Sequence, residues 1–146
     1  MIRPYYLLDT NIISEIMKQN PDKNVCQKCN EYEKLIAIPS TVWHELLFGV
    51  NSMQSSKRRD FIYSRLVDDI QASYDIIQYD NHAAWIHADI CARLKEKGTL
   101  VDFPDTQIAS IALANNMILV TRNIKHFEPI QTVSSLMLEN WFTAEL

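Results

Sequence analysis

Tyr5-Tyr6-Leu7-Leu8-Asp9-Thr10-Asn11-Ile12-Ile13 is the stretch on which the fold turns: an apolar run, a carboxylate, then a new apolar pair. Residues 5–8 predict a short strand and residues 12–18 the helix that follows it. Working outward, the same rhythm repeats. Residues 35–38, 74–78, 117–120 and 130–133 read as further strands. Residues 21–33, 40–53, 57–69, 81–97 and 105–114 read as helices. Strands alternating with helices in this way predict an α/β fold with a parallel sheet covered on both faces. Two helical segments in succession before the third strand add a helical arm. The clearest loop runs from Gly98 to Pro104.

The chain has 146 residues, 47% of them hydrophobic and 22% charged, which predicts one ordinary globular domain over residues 1–146. No window approaches the roughly 18 apolar residues of a membrane span. The opening Met-Ile-Arg-Pro-Tyr-Tyr-Leu-Leu-Asp turns acidic too soon for a secretory signal, so a cytoplasmic location is expected. Three cysteines, Cys26, Cys29 and Cys91, do not form a disulfide framework, and Cys26-x-x-Cys29 reads as helical neighbours rather than half a zinc site. A net charge of −4 argues against a passive nucleic-acid coat but leaves room for a nuclease whose metal supplies the positive charge. With only 2 glycines there is no Gly-rich phosphate loop.

Three acids stand where structure alone does not ask for them. Asp9 ends the first strand, where a helix cap is the plain alternative. Glu45 lies in Val42-Trp43-His44-Glu45-Leu46-Leu47-Phe48-Gly49, sharing a face with Val42, Phe48 and Gly49. Asp105 opens a helix on the face of Ile108, Ala109 and Ala112, where it could equally serve a capping arrangement with Asp102. Carboxylates removed from water are costly unless paired or bound to a cation. Three on separate elements therefore point to a divalent-metal site and to phosphate chemistry. Asp9 and Thr121-Arg122-Asn123 both follow strands directly, so both belong to the rim where ligands gather in such sheets.

The remaining features have simpler readings. His44, His82, His87 and His126 show no metal-ligand spacing and read as surface or packing residues, with His126 near the rim. Trp43, Trp85 and Trp141 read as core or interface. Lys57-Arg58-Arg59 with Arg65 is the one concentrated basic patch, a solvated helix face that could also guide a polyanion.

Several motifs together resemble the VapC toxin branch of the PIN-domain nucleases. Leu7-Leu8-Asp9-Thr10-Asn11-Ile12-Ile13 resembles the family's first motif and Thr41-Val42-Trp43-His44-Glu45-Leu46-Leu47-Phe48-Gly49 its second. Phe103-Pro104-Asp105-Thr106-Gln107-Ile108-Ala109 is similar to the third, and residues 118–128, with Thr121-Arg122-Asn123, to the fourth. The ending Leu138-Glu139-Asn140-Trp141 is also similar. The resemblance implies a three-layer α/β/α PIN-like fold with a mainly parallel five-stranded sheet. It implies a cytoplasmic, Mg2+- or Mn2+-dependent endoribonuclease, the dimeric toxin of a toxin–antitoxin pair. Structured RNA (a tRNA or ribosomal RNA) would be its substrate and a cognate antitoxin its partner. On the matching positions, Asp9, Glu45 and Asp105 would hold metal and, with Asn123, form the catalytic set. Thr10, Asn11, Thr121 and Arg122 would orient carboxylates or substrate. The fourth motif often carries another acid where Asn123 or His126 stands here, so a first ion is a firmer expectation than a second.

Two other classes stay open on the sequence. A phosphatase would place Asp where Asn11 follows Asp9 by two, and a degenerate PIN-fold module would bind RNA or protein without cleaving. The apolar surface at Val25, Leu35 and Phe61 is expected to meet the antitoxin or a second subunit.

Overall fold

A computed structural model describes residues 5–144. The expected alternation is present. Strand β1 (Tyr6–Leu8) is followed by α1 (Thr10–Ile16) and α2 (Lys23–Glu31), then β2 (Ile36–Pro39) and α3 (Ser40–Asn51). Helix α4 (Lys57–Ser64) runs directly into a π-helical stretch, Arg65–Gln71, where the sequence predicts one uninterrupted helix. Strand β3 (Asp75–Ile77), α5 (Asn81–Glu96), α6 (Phe103–Ala114), β4 (Ile118–Val120), α7 (Ile124–Gln131) and β5 (Leu138–Glu139) complete the chain.

The sheet order is β3-β2-β1-β4-β5, and every pairing is parallel rather than mainly so. Parallel strands are covered by crossover helices, which explains why Leu7, Leu8, Ala37, Ile38, Leu119 and Val120 are all fully buried. Helix α1 packs on α2 and α3, and α3 packs on α4; α5, α6 and α7 pack together, and α3 touches α6. Helix α5 ends at Gly98 (φ 70), whose left-handed backbone lets Thr99 N–H reach back to the Leu94 carbonyl at 2.9 Å.

One strand is misplaced by the sequence reading. Residues 130–133 are not a strand: Ile130 lies in α7, where it and Phe127 are the buried residues one helical turn apart. The fifth strand is the two-residue β5, paired at the sheet edge through Leu119↔Leu138 and Val120↔Glu139. Val25 is also corrected, because it is fully buried in the core and offers no docking surface. Leu35 is half-buried, and Phe61 is 62% exposed.

The order of the strands locates the site. From central β1 the chain proceeds outward to β2 and β3 and later returns to pair β4 on the other edge of β1. The carboxyl ends of β1 and β4 therefore flank a topological switch point, where α/β sheets open a crevice. Asp9 follows β1 and Thr121 follows β4.

Candidate active site

Asp9 is fixed before its side chain is considered: its N–H donates to the Val120 carbonyl of β4 at 3.0 Å. The residue is 8% exposed. One carboxylate oxygen accepts the Thr10 N–H at 2.7 Å, and the other accepts the Thr121 hydroxyl at 2.8 Å. Asn11 Nδ2 approaches that second oxygen at 3.4 Å and Thr121 Oγ1 at 3.3 Å. Thr121 gives its only proton to Asp9 and accepts from the Asn123 N–H at 3.0 Å. The Asn11 side-chain oxygen, Oδ1, accepts the Arg122 N–H at 3.1 Å. The turns after β1 and β4 are thus sewn together through Asn11 and Thr121. The cap interpretation of Asp9 also holds, since its bond to Thr10 is a bond to the first residue of α1.

Glu45 reaches this centre from α3, with Oε2 accepting the Thr10 hydroxyl at 2.6 Å. It is exposed, which corrects the expectation that a mid-helix acid on an apolar face is buried. The face is open: Phe48 is 65% exposed, and nothing lies within 4 Å of where a Cβ on Gly49 would stand. Glu45 and Thr10 line a groove of about 540 Å³ whose walls also include Met17, Leu46, Met53 and Phe61. Arg58 and Arg65 from the basic patch line the same groove.

Asp105 stands half-buried in the first turn of α6. Burial pushes its carboxyl above the ordinary value, Asp9's charge adds to the rise, and Asp102 and Glu45 add further while His126 opposes. Burial likewise raises Asp9; the Thr121 and Thr10 donors pull it down, Glu45's charge raises it, and His126 opposes. The three acids therefore act on one another electrostatically, as carboxylates gathered at one rim do. Among the described residues none of them forms an ion pair with a lysine or arginine; the pairs present are Lys18–Glu15, Arg65–Asp69 and Arg93–Asp89. Hard oxygen donors with no neutralising cation are the donor set that suits Mg2+ or Mn2+. No three His, Cys, Asp or Glu side chains among the described residues converge closely enough to ligate one ion directly.

The other expected residues divide. Asn123 is exposed at the start of α7, where its side chain makes no capping bond. Arg122 sends its guanidinium 4.4 Å over the Phe142 ring, so in this conformation it is held on the chain's own tail. His126 is at the rim as expected, lining a cleft of about 220 Å³ with Asp102, Asp105 and Lys125. Cys26 and Cys29 are free on α2. Trp141 is buried, but Trp85 is 74% exposed and is not a core residue. Two features escaped the sequence: the Thr10–Glu45 bond, and the hydrogen-bonded role of His87 at the foot of α6.

The family pattern for the PIN domain matches residues 6–130. Ribonuclease VapC2 of Rickettsia felis is 36% identical, the match covering 93% of this chain and 97% of that one. A tRNA(fMet)-specific endonuclease VapC of Shigella flexneri is 31% identical over the same shares, 93% and 97%. Among solved structures, VapBC2 from Rickettsia felis, bound to a DNA fragment from their promoter, superposes with a TM-score of 0.80. It is 31% identical and covers 96% of this chain and 99% of that one. The chain belongs to the PIN-domain family, in its VapC ribonuclease branch. No helix among the described residues is long and apolar enough to cross a membrane.

Proposed function

We propose that this chain is a divalent-metal-dependent endoribonuclease, the toxin of a toxin–antitoxin pair, and that it hydrolyses phosphodiester bonds in structured RNA. The observation that carries the reading is the cluster of Asp9, Glu45 and Asp105. These carboxylates come from three elements, the charge of Glu45 raises the proton affinity of Asp9 and Asp105, and among the described residues none has a lysine or arginine partner. In this reading they would hold one Mg2+ or Mn2+. When bound, that cation supplies charge for the developing phosphate oxyanion and acidifies the attacking water.

The chain's own residues do the rest. Thr10 and Thr121 fix the Glu45 and Asp9 carboxylates, so each presents its remaining lone pairs in one direction. Asn11 holds the two loops in register. Asn123 and His126 flank the rim from α7, where they orient substrate rather than add negative charge. Asp105, its proton affinity raised, is the candidate to accept a proton from the attacking water. Arg122 lies over Phe142, and on release from that ring its guanidinium would meet RNA phosphate.

The relatives named above carry ribonuclease and tRNA-endonuclease names, and a VapBC complex is among the similar folds. The tRNA-endonuclease name supports a structured RNA such as a tRNA as substrate, with a ribosomal RNA as the other candidate. The VapBC complex supports a cognate antitoxin as partner, and the groove beside Glu45 is our candidate for its seat. A homodimer, a cytoplasmic location and a single PIN domain over the full chain complete the proposal. The test is to map RNA ends after brief expression of wild type and Asp105→Asn. Discrete new ends bearing 5′-phosphate in wild type alone are expected. Identical end profiles would instead favour a binding module that does not cleave.

A further inference from the structure

Helix α6, like α3 and α7, begins without a side-chain cap. Asp22, Ser56 and Asp80 each accept a backbone N–H at the starts of α2, α4 and α5. Asp102 makes no such bond, and Pro104 removes one donor from the turn. Yet this is the turn that presents Asp105, and its anchor comes from α5 instead. Thr106 Oγ1 donates to the Phe103 carbonyl at 2.9 Å, so its only proton is committed. At its 2.8 Å contact with His87 Nε2 it must therefore accept, which fixes His87 as the Nε2–H tautomer. Nδ1 is then left to accept the Tyr79 hydroxyl at 2.8 Å. Tyr79 N–H in turn donates to Ser40 Oγ at 3.2 Å, on the first residue of α3. His87 is 4% exposed and Thr106 2%, and the Phe103 ring packs on the imidazole with centroids 5.0 Å apart. A polar spine thus joins the helix that carries Glu45 to the turn that carries Asp105.

We propose that His87 is a positioning residue of the active site, setting Asp105 against the Glu45 helix through Thr106 and Tyr79. The inference rests on the reading that Asp9, Glu45 and Asp105 share a divalent ion. A histidine that merely filled the core would support folding and nothing more. Positioning predicts that the ion site loosens when the spine is cut, even where the fold survives.

The test uses the full chain, stripped of metal and titrated calorimetrically with Mn2+, alongside thermal melts. Thr106→Val, which keeps the side chain's shape, is expected to weaken Mn2+ binding about tenfold. Thr106→Ser restores it to within about twofold, and Tyr79→Phe, which cuts the spine at a half-buried residue, weakens it several-fold. Leu136→Ala, a core truncation after α7, lowers the melting temperature but leaves Mn2+ affinity unchanged. Long-range 1H–15N spectra of wild type are expected to show His87 protonated at Nε2. Unchanged Mn2+ affinity in Thr106→Val and Tyr79→Phe, or an Nδ1–H tautomer, overturns the positioning role while leaving the proposed activity intact. Wild type that binds no Mn2+ overturns both.

Discussion

Thr121 gives the clearest view of how single residues make this site. Its hydroxyl proton goes to Asp9 while its oxygen collects donors from Asn11 and Asn123, so one small side chain fixes a carboxylate and two loops. Removing only the hydroxyl, in Thr121→Val, is expected to cut RNA cleavage about tenfold, measured as initial rates on a labelled substrate. Asp9→Asn is expected to cut it at least about a hundredfold, because the fixed negative charge is then gone. The raised proton affinities of Asp9 and Asp105 also carry a stability signature. In the metal-free fold these groups ionise less readily than in the unfolded chain, so the folded state binds more protons between the ordinary and raised values. Stability therefore falls as pH rises through that window and is recovered on acidification, until other carboxylates dominate. Thermal melts in chelator should show this slope. It should flatten in Asp105→Asn, whose melting temperature above the window should be higher than wild type by about 1–3 °C.

At the scale of elements, the sequence was legible wherever periodicity and burial agree. Residues 5–8, 35–38, 74–78 and 117–120 predict strands because each is a short apolar run between helices; β1, β3 and β4 fall inside them, and β2 runs one residue further, to Pro39. The fifth was not legible. Ile130 and Val133 are spaced like one helical face, and β5 is two residues of edge pairing with no apolar run to announce it. Asp9 and Asp105 were legible because each sits at a strand end or helix start that pattern alone locates. Glu45 was found but its surroundings were misjudged: an apolar face signals burial, whether by the chain itself or by a partner, and sequence does not distinguish them. The tail shows how elements lock. Asp22 caps α2 through Asn24 and Val25, and also accepts the Thr143 N–H and hydroxyl, each at 3.1 Å. Asp22→Ala is expected to cost about 1–2 kcal/mol in urea unfolding, since helix cap and tail latch go together.

Across the whole molecule, acidic rim and apolar groove are neighbours, joined at Glu45 and Thr10. A protein partner seated in that groove would cover Phe61, 62% exposed, while closing the approach to the carboxylates. Phe61→Glu is therefore expected to weaken antitoxin binding at least about tenfold in pull-down titrations, with cleavage by the free toxin unchanged. Loss of cleavage in that variant would place Phe61 in the RNA path instead. The central claim concerns one ion shared by side chains from α3, α6 and the end of β1. Anomalous scattering from crystals soaked in Mn2+ tests it most directly. A peak between the carboxylates of Asp9, Glu45 and Asp105, with ordered water completing its shell, is expected. A peak elsewhere, or none there at saturating Mn2+, would contradict it.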